Sequence, residues 1–339
     1  MEESSYQRVP YVKKGKKFIN PHLDVKRAGL WEFVLWQCGY LNDKNNEPLS
    51  MPKGFAYPNP AVEVSASEPK VSWINHCTFL VEIEGIRILT DPIWGERCSP
   101  FQSIGPKRLH EPCVQLSDIP TMDIVLISHN HYDHLDKKVV KLLHQKHPDI
   151  LWVIPKGMRS WFNKLGIQQV IELCWWEKSE VSLPGHQGVE LTITATPAQH
   201  FSGRGIFDTD QTLWSGFVVQ CKKEGKTPKQ FYFVGDTGYN PKDFKAIGQF
   251  FGEMDLAMIP IGTYIPHKFM DPIHTCPNKA VEIHCEVNSK LSVGMHWKTF
   301  RLSDEKQMQP PYDLFCCLNS KKISPLQFRC LDVGQAINW

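Results

Sequence analysis

The pattern of apolar and polar positions is most informative around residue 130. Residues 124–127 form an unbroken apolar run, which is typical of a strand buried on both faces. Apolar residues recur at helical spacing over 139–143, and Asp136 stands where a side chain can cap the start of that helix. The polar stretch 128–136 is therefore predicted to be a turn at the carboxyl end of a buried strand. Open α/β layers form their active sites at such strand ends.

Similar runs predict short strands and helices from residue 71 onward. Strands are predicted at 71–74, 79–83, 87–90, 151–154, 169–173, 189–195, 212–220, 230–234, 255–260, 291–295 and 326–330. Helices are predicted at 157–165, where Gly166 ends the pattern, and at 278–287. The pair Trp175-Trp176 is interpreted as part of the core.

The residues before this region have a different character. Residues 1–28 are polar and basic, which predicts an extended arm. Residues 30–41 carry one apolar helical stripe, interpreted as a helix packed on the core or, alternatively, as an interfacial helix that docks on anionic lipid. Residues 42–69 are rich in Pro, Asn and Ser and predict a linker. We therefore divide the chain into an arm, helix and linker at 1–69, packed on the core, and a catalytic domain at 70–339.

Composition narrows the class of protein. The chain has 339 residues, of which 42% are hydrophobic and 22% are charged, as in an ordinary globular protein. Its formal net charge of +2 gives no indication of nucleic-acid binding. The 11 cysteines form no C-x-x-C pair, which favours a reducing intracellular compartment over a disulfide framework. We expect no signal peptide and no membrane-spanning helix, because no apolar run approaches about 20 residues.

The turn at 128–136 is rich in side chains that bind metals. Its H-x-H-x-D-H pattern is formed by His129, His131, Asp133 and His134. The first two can point the same way from an extended segment, whereas the last two are offset and can reach a second point nearby. Three further candidates, each just after a predicted strand, are His200, Asp236 and His296. Imidazole and carboxylate donors suit zinc, and iron and manganese accept the same donors.

These motifs resemble a known family. H-x-H-x-D-H after an apolar strand resembles the metallo-β-lactamase-fold hydrolases, and the full wording of 128–136 resembles the N-acylphosphatidylethanolamine-hydrolysing phospholipase D group. Further matches to that group are the segments 18–21 (Phe-Ile-Asn-Pro), 105–108 (Gly-Pro-Lys-Arg), 236–239 and 261–266. The resemblance implies an α/β (α+β) fold, namely an αββα sandwich of the metallo-β-lactamase type with an N-terminal extension.

The resemblance also implies roles for individual residues. One metal ion would be held by His129, His131 and His200, and a second by Asp133, His134 and His296. Asp236 would bridge the two ions, and Asp91 would support their ligands from behind. Two zinc ions per chain are expected. The expected catalytic residues are Asp133, Asp236 and His274, and the expected substrate contacts are Tyr132, His274 and Tyr264.

The implied reaction is the hydrolysis of N-acylphosphatidylethanolamine to N-acylethanolamine and phosphatidic acid by a hydroxide that bridges the metal ions. The implied partners are a membrane phospholipid substrate, a peripheral membrane surface on the cytosolic side, and a second copy of the chain in a homodimer. Ile273 departs from the group, because an amide side chain is expected at that position.

Two other functions are compatible with the same residues. The substrate can be another phosphodiester or a lactone, because a fold alone does not determine the substrate. The chain can also be a non-catalytic, membrane-associated metal-binding protein. For the docking interpretation of the arm, we expect removal of residues 1–41 to weaken vesicle binding and to leave hydrolysis of detergent-dispersed substrate intact.

Overall fold

The fold is described from a computed structural model. It describes residues 8–23, 32, 35, 49–205 and 207–339. The predicted apolar helix over 30–41 lies outside the described residues, apart from Glu32 and Leu35.

The arm begins with a small hairpin, and the first large sheet follows the linker. The hairpin pairs β1 (Val12–Lys14) with β2 (Lys17–Ile19). The first sheet contains β3 (Lys70–Asn75), β4 (Thr78–Ile83), β5 (Ile86–Thr90), β6 (Ile124–Leu126), β7 (Leu151–Pro155) and β8 (Val170–Leu173). Pairing is antiparallel from β3 to β5 and parallel from β5 to β8. The strands β3, β5 and β6 therefore end at the same edge of this sheet.

The second sheet repeats this plan. It contains β9 (Lys178–Val181), β10 (Val189–Thr196), β11 (Gly216–Lys223), β12 (Lys229–Phe233), β13 (Met254–Pro260), β14 (Ser289–Met295) and β15 (Phe328–Arg329). Pairing is antiparallel from β9 to β12 and parallel from β12 to β15. Because β10 and β12 are both antiparallel to β11, the strands β10, β12, β13 and β14 end at one edge. A last strand, β16 (Ala336–Asn338), returns to the first sheet and pairs with β3.

Helices connect and cover the strands. In chain order they are α1 (Lys137–Lys146), α2 (Arg159–Asn163), α3 (Pro241–Phe251), α4 (His267–Met270), α5 (Pro277–Glu286) and α6 (Gln309–Ser320), with a 3₁₀ turn at Leu116–Asp118. The predicted cap of α1 is confirmed, because the Asp136 carboxylate accepts the main-chain N–H groups of Lys138 and Val139. None of the helices in the described part of the chain is long and apolar enough to cross a membrane.

The core lies between the two sheets, and a second apolar layer lies under the first pair of helices. On β6, Ile124 and Leu126 join the core shared by both sheets, whereas Val125 packs with residues of α1 and α2. This alternation explains why residues 124–127 are apolar without interruption, since both faces are buried. Two sheets with helices on the outside form the predicted αββα sandwich, so the predicted fold is confirmed.

Several elements differ from the local predictions. No helix was predicted after residue 299, but Gln309–Ser320 is a helix whose prolines occupy the first turn, where they are tolerated. The strand predicted at 212–220 begins only at Gly216, since the N–H groups of Leu213 and Ser215 bind main-chain oxygens outside that sheet. The elements that were not predicted also include the hairpin strands β1 and β2, the polar edge strand β9, the helices α3 and α4 and the strand β16. The proposed domain boundary at 69/70 stays a prediction.

Candidate metal centre

The strand ends of the two sheets meet, and seven predicted side chains lie together there. The turn after β6 supplies four of them: His129, His131, Asp133 and His134. The segments after β10, β12 and β14 supply the other three: His200, Asp236 and His296. Their nitrogen and oxygen atoms form groups within 4.8 Å of one another, so the cluster could hold metal ions.

Three histidines form the first group. His131 Nδ1 lies 2.8 Å from His129 Nε2 and 3.2 Å from His200 Nε2. His129 and His200 are each only 1% exposed. Three ring nitrogens that converge at this distance in a buried site are a donor set typical of zinc.

Two histidines and two carboxylates form the second group. Asp236 Oδ2 lies 3.1 Å from His134 Nε2 and 3.0 Å from His296 Nε2. Asp133 Oδ2 approaches the same two nitrogens at 3.3 and 3.4 Å. Asp236 Oδ2 is also 4.0 Å from His129 Nε2 and 3.8 Å from His200 Nε2. Asp236 therefore lies between the two groups, where its predicted bridging role would place it.

Asp91 supports the turn from the end of β5. Its carboxylate accepts the Ser128 N–H at 2.7 Å and the Ser128 hydroxyl at 2.6 Å, and it lies 2.6 Å from His134 Nδ1. Because the Ser128 hydroxyl donates to Asp91, it accepts from His129 Nδ1 at 2.9 Å. Both histidines thus carry their proton on Nδ1 and present Nε2 to the cluster, as metal-binding histidines usually do. Burial raises the pKa of the Asp91 carboxyl, and its bonds to His134 and Ser128 oppose that rise.

The ligand candidates of the second sheet are oriented by more distant segments. The ring of His200 donates from Nδ1 to the main-chain oxygen of Ile273 at 2.7 Å. The ring of His296 lies with Nδ1 3.1 Å from the hydroxyl of Thr263, just past the end of β13. Thr263 has a φ of 66° and is fixed by its N–H, which donates to Glu305 at 2.6 Å. Gly262 is required beside it, because an added Cβ would lie 2.2 Å from the His296 carbonyl oxygen.

Burial and neighbouring charges hold most of these groups in the protonation state that binds metal. Burial lowers the pKa of His129 and His200 well below the usual value and lowers that of His131 to about 4, so these rings are neutral. Burial opposes ionisation of Asp236, but the neighbouring histidines hold the pKa of its carboxyl well below the usual range. Burial also favours neutral His296, but nearby carboxylates raise its pKa to about 9. Neutral imidazole and ionised carboxylate are the forms that bind metal.

Buried atoms without partners provide a further test of whether metal ions fit. Among the described residues, Asp236 Oδ1 and His274 Nδ1 are buried and lack a hydrogen-bond partner, and the buried His134 Nε2 and His296 Nε2 face carboxylate oxygens of Asp133 and Asp236 at 3.0–3.4 Å. Buried polar atoms are almost always paired, so such a concentration needs an explanation. Divalent cations among these atoms would provide one, and the donor types present are those that bind zinc, iron or manganese.

Two further residues at the cluster were missed by the sequence analysis. His76, just after β3, is 1% exposed and has Nε2 3.1 Å from Asp133 Oδ2. The only sequence signal was a histidine after a strand that ends at the same sheet edge. Arg204 donates to the main-chain oxygens of Asn130 and Leu135 at 2.8 and 2.7 Å, which holds the metal-binding turn. Nothing in the sequence pattern linked this arginine to that turn.

The other predicted site residues lie at different distances from the cluster. His274 Nδ1 is 3.9 Å from Asp236 Oδ2, so His274 lies at the cluster. Tyr132 lies in the metal-binding turn, is partly exposed, and has its ring 3.9 Å from the guanidinium carbon of Arg204. Tyr264 is 2% exposed and donates its hydroxyl to Asp313 at 2.6 Å, so the structure gives it a packing contact. A substrate contact for Tyr264 stays a prediction.

A groove of about 970 Å³ extends from Tyr132 along α1. Its apolar walls include Trp94, Leu142 and Trp161. Its cationic side chains are Arg97, Lys137, Lys138, Lys141 and Arg204, and its two carboxylates are Glu96 and Asp136. Glu96 pairs with Lys107, and Asp136 caps α1, so the cations give the groove its net positive character.

Sequence comparison places the fold and the cluster in a class of proteins. A family model described as the beta-lactamase superfamily domain matches residues 86–297, which include all seven ligand candidates. The chain therefore belongs to the beta-lactamase superfamily and, within it, groups by sequence with the N-acyl-phosphatidylethanolamine-hydrolyzing phospholipases D.

Two curated relatives support the assignment to this group of phospholipases D. N-acyl-phosphatidylethanolamine-hydrolyzing phospholipase D 1 of Caenorhabditis elegans is 40% identical over 247 residues, covering 71% of this chain and 67% of that protein. The mitochondrial N-acyl-phosphatidylethanolamine-hydrolyzing phospholipase D of Saccharomyces cerevisiae is 35% identical over 240 residues, covering 70% of this chain and 49% of that protein. The resemblance stated from the motifs is thus confirmed.

A solved structure shows the same fold. The isothiocyanate hydrolase from Delia radicum gut bacteria matches with a TM-score of 0.60 and 18% identity, covering 80% of this chain and 99% of that one. At this identity the likeness concerns the fold alone. Together, the family, the fold and the His/Asp cluster support a metal-dependent hydrolase.

Proposed function

We propose that this chain is a phospholipase D-type phosphodiesterase with two zinc ions, which hydrolyses N-acylphosphatidylethanolamine to N-acylethanolamine and phosphatidic acid. The observation that carries the proposal is the position of Asp236 between two groups of imidazole nitrogens, within 4.0 Å of four of them. The names of the curated relatives support the choice of substrate.

The proposed ligands divide between two ions. His129, His131 and His200 would hold one ion, Asp133, His134 and His296 would hold the other, and Asp236 would contact both. When bound, two such ions lower the pKa of water and offset charge on a phosphoryl oxygen. The phosphorus–oxygen bond to N-acylethanolamine would break, the water oxygen would join phosphorus, and a proton would reach the departing alcohol.

The chain's own residues would orient the substrate. Asp133 and Asp236 are ionised carboxylates at the centre of the cluster, placed to accept a hydrogen bond from the reacting water. Burial lowers the pKa of His274 to about 3, so its neutral ring can donate one hydrogen bond to a phosphate oxygen. These are the proposed catalytic residues.

The groove beside Tyr132 supports a lipid substrate. Apolar walls next to Lys137, Lys138 and Lys141, which form no ion pair with a described residue, suit an anionic molecule with long apolar chains. Tyr132 belongs both to the metal-binding turn and to the lining of the groove, so the groove begins beside the proposed metal ligands. The membrane surface on the cytosolic side and the homodimer stay predictions that rest on the family resemblance.

The test is hydrolysis of N-acylphosphatidylethanolamine in mixed micelles, with metal content measured on the same sample. His131→Ala and Asp236→Asn should abolish release of both products. Matched controls are His186→Ala and Asp255→Asn, which change a histidine and an aspartate paired elsewhere, with Asp123 and with Lys290. Both controls should keep activity.

Two outcomes would contradict the proposed reaction. Two bound ions without product would direct the search to other phosphodiesters and lactones. Two bound ions without turnover of any such substrate would favour the non-catalytic metal-binding protein.

A further inference from the structure

The N-terminal arm is anchored beside the metal centre. Phe18 of β2 is 1% exposed and packs with Trp175, Leu213 and Trp214. Its N–H donates to the main-chain oxygen of Asp210 at 2.7 Å. The hairpin therefore has a fixed position on the catalytic domain, which the prediction of an extended arm did not include.

This anchorage brings Asn20 to a proposed metal ligand. The amide of Asn20 donates from Nδ2 to the main-chain oxygen of His200 at 2.7 Å. In return, the N–H of His200 donates to Asn20 Oδ1 at 3.2 Å. One side chain thus pairs with both main-chain groups of a residue 180 positions away.

The reciprocal pair has a specific consequence for His200. This residue lies four positions beyond β10 and directly after Gln199, which forms an isolated bridge with Gly238, and its own N–H and C=O are paired with Asn20. Its ring is fixed at Nδ1 by the Ile273 oxygen, and its backbone is fixed by Asn20. Because ring and backbone are both held, Nε2 keeps one direction, toward His131.

We infer that Asn20 is a positioning residue for the metal ion held by His200, so that the N-terminal arm is part of the metal centre. Asn20 acts through His200 and does not touch the ion itself. The inference rests on the proposed function, because it takes His200 as a ligand. It also gives the Phe-Ile-Asn-Pro segment a role: phenylalanine anchors the hairpin and asparagine holds the ligand.

This role changes the expectation for a truncated chain. Removal of residues 1–41 would delete Asn20 together with the apolar stripe. Hydrolysis of detergent-dispersed substrate is therefore no longer expected to survive that truncation, whether or not the arm binds membranes.

The test compares metal affinity in two matched variants of the full chain. Asn20→Ala should weaken retention of one zinc ion about 10- to 100-fold in competition with a chromogenic chelator, which is typical when a partner that orients a ligand is lost. Asn338→Ala is the control. Asn338 accepts the Ser65 N–H at 2.7 Å and donates to the Ser65 oxygen at 3.0 Å, so it pairs with both main-chain groups of one residue, as Asn20 does. It pairs with Lys70 at the start of β3, the end of that strand away from the metal centre. The control should bind metal like the natural chain.

A second measurement separates positioning from loss of folding. In a His200→Ala background, Asn20→Ala should cause no further loss of metal affinity, because the two residues act as one unit. In the cobalt-substituted protein, Asn20→Ala should alter the visible absorption of one of two cobalt ions. Additive losses in the double variant, or an unchanged affinity and cobalt spectrum in Asn20→Ala, would overturn the inference.

Failure of the inference differs from failure of the proposed function. If the natural chain binds no zinc, the dinuclear centre itself is wrong, and the inference fails with it. If the natural chain binds two ions and Asn20→Ala retains both with equal affinity, only the inference is wrong.

Discussion

The two sheets hold their ligand candidates in different ways. The first sheet supplies four of them from one turn, and a single carboxylate behind that turn, Asp91, contacts Ser128 and His134. The second sheet supplies three from separate strand ends, at His200, Asp236 and His296. The partners that orient this second set come from distant parts of the chain: Asn20, Ile273 and Thr263.

This difference between the sheets shows which ligands are oriented by residues of neighbouring strands and which are oriented by distant segments. The carboxylate support of the turn is local, because Asp91 and Ser128 follow the neighbouring strands β5 and β6, and Arg204 adds a contact from beyond β10. The set on the second sheet needs the complete sandwich and the N-terminal arm. We therefore expect changes to the turn to act strongly and locally, and changes around the second set to act through remote residues.

The largest expected effect is at the residue between the two groups. Asp236→Asn should remove both ions, because one oxygen of Asp236 faces imidazoles of both groups. His131→Ala should remove only one ion, since His131 contacts the first group alone. Elemental analysis after dialysis measures both. Equal losses in the two variants would contradict a bridging position.

The next effect tests the carboxylate behind the turn. Asp91→Asn should lower the free energy of unfolding by about 3–5 kcal/mol, because it disturbs a buried, hydrogen-bonded charge partner of His134. Chemical denaturation of the metal-free protein measures this change. A loss below about 1 kcal/mol, the size of an ordinary hydrogen bond, would show that Asp91 does not stabilise the turn as described.

A smaller effect is expected where one hydroxyl orients a ligand of the second sheet. Thr263→Val removes the group 3.1 Å from His296 Nδ1 and keeps the shape of the side chain. It should weaken one metal site about 10-fold and change unfolding by only about 1 kcal/mol. Chelator competition and denaturation on the same sample separate the two. A stability loss as large as that of Asp91→Asn would remove the contrast between the sheets.

The smallest effect on metal binding is expected at Ile273, which contacts His200 through its main-chain oxygen. Ile273→Gln should leave metal content and affinity unchanged, because His200 bonds the main-chain oxygen at this position. The same variant introduces the amide side chain expected from the family. We therefore expect any effect of this variant to appear in the Michaelis constant for the lipid substrate and not in metal binding. Loss of metal in this variant would mean that the side chain of Ile273, and not its carbonyl, fixes His200.

The contrast between the sheets also explains what the sequence could predict. The turn at 128–136 was recognisable because its four metal-competent side chains are contiguous and follow an apolar strand. His200, Asp236 and His296 were found because each follows a strand, although their convergence depends on sheet order. The pairing of Asn20 with His200 left no local pattern, since the partners are 180 residues apart.

Other omissions have equally physical causes. His76 was missed because it is a lone histidine after β3, and only the pairing of β3 through β5 brings that strand end to the cluster. The helix α6 was missed because two prolines usually indicate the absence of a helix, yet they are tolerated in its first turn. Arg204 hydrogen-bonds main-chain oxygens of the turn and packs on the Tyr132 ring, and neither contact requires an oppositely charged residue in the sequence.

The most direct test of a metal centre shared between the two sheets is the number of metal ions bound by the natural chain. Metal-free protein would be titrated with zinc while a competing chelator reports free ion, and bound zinc would then be counted by elemental analysis. We expect two ions per chain, both lost in Asp236→Asn and one lost in His131→Ala. A single ion in the natural chain, or two ions retained without Asp236, would contradict a centre shared between the two sheets.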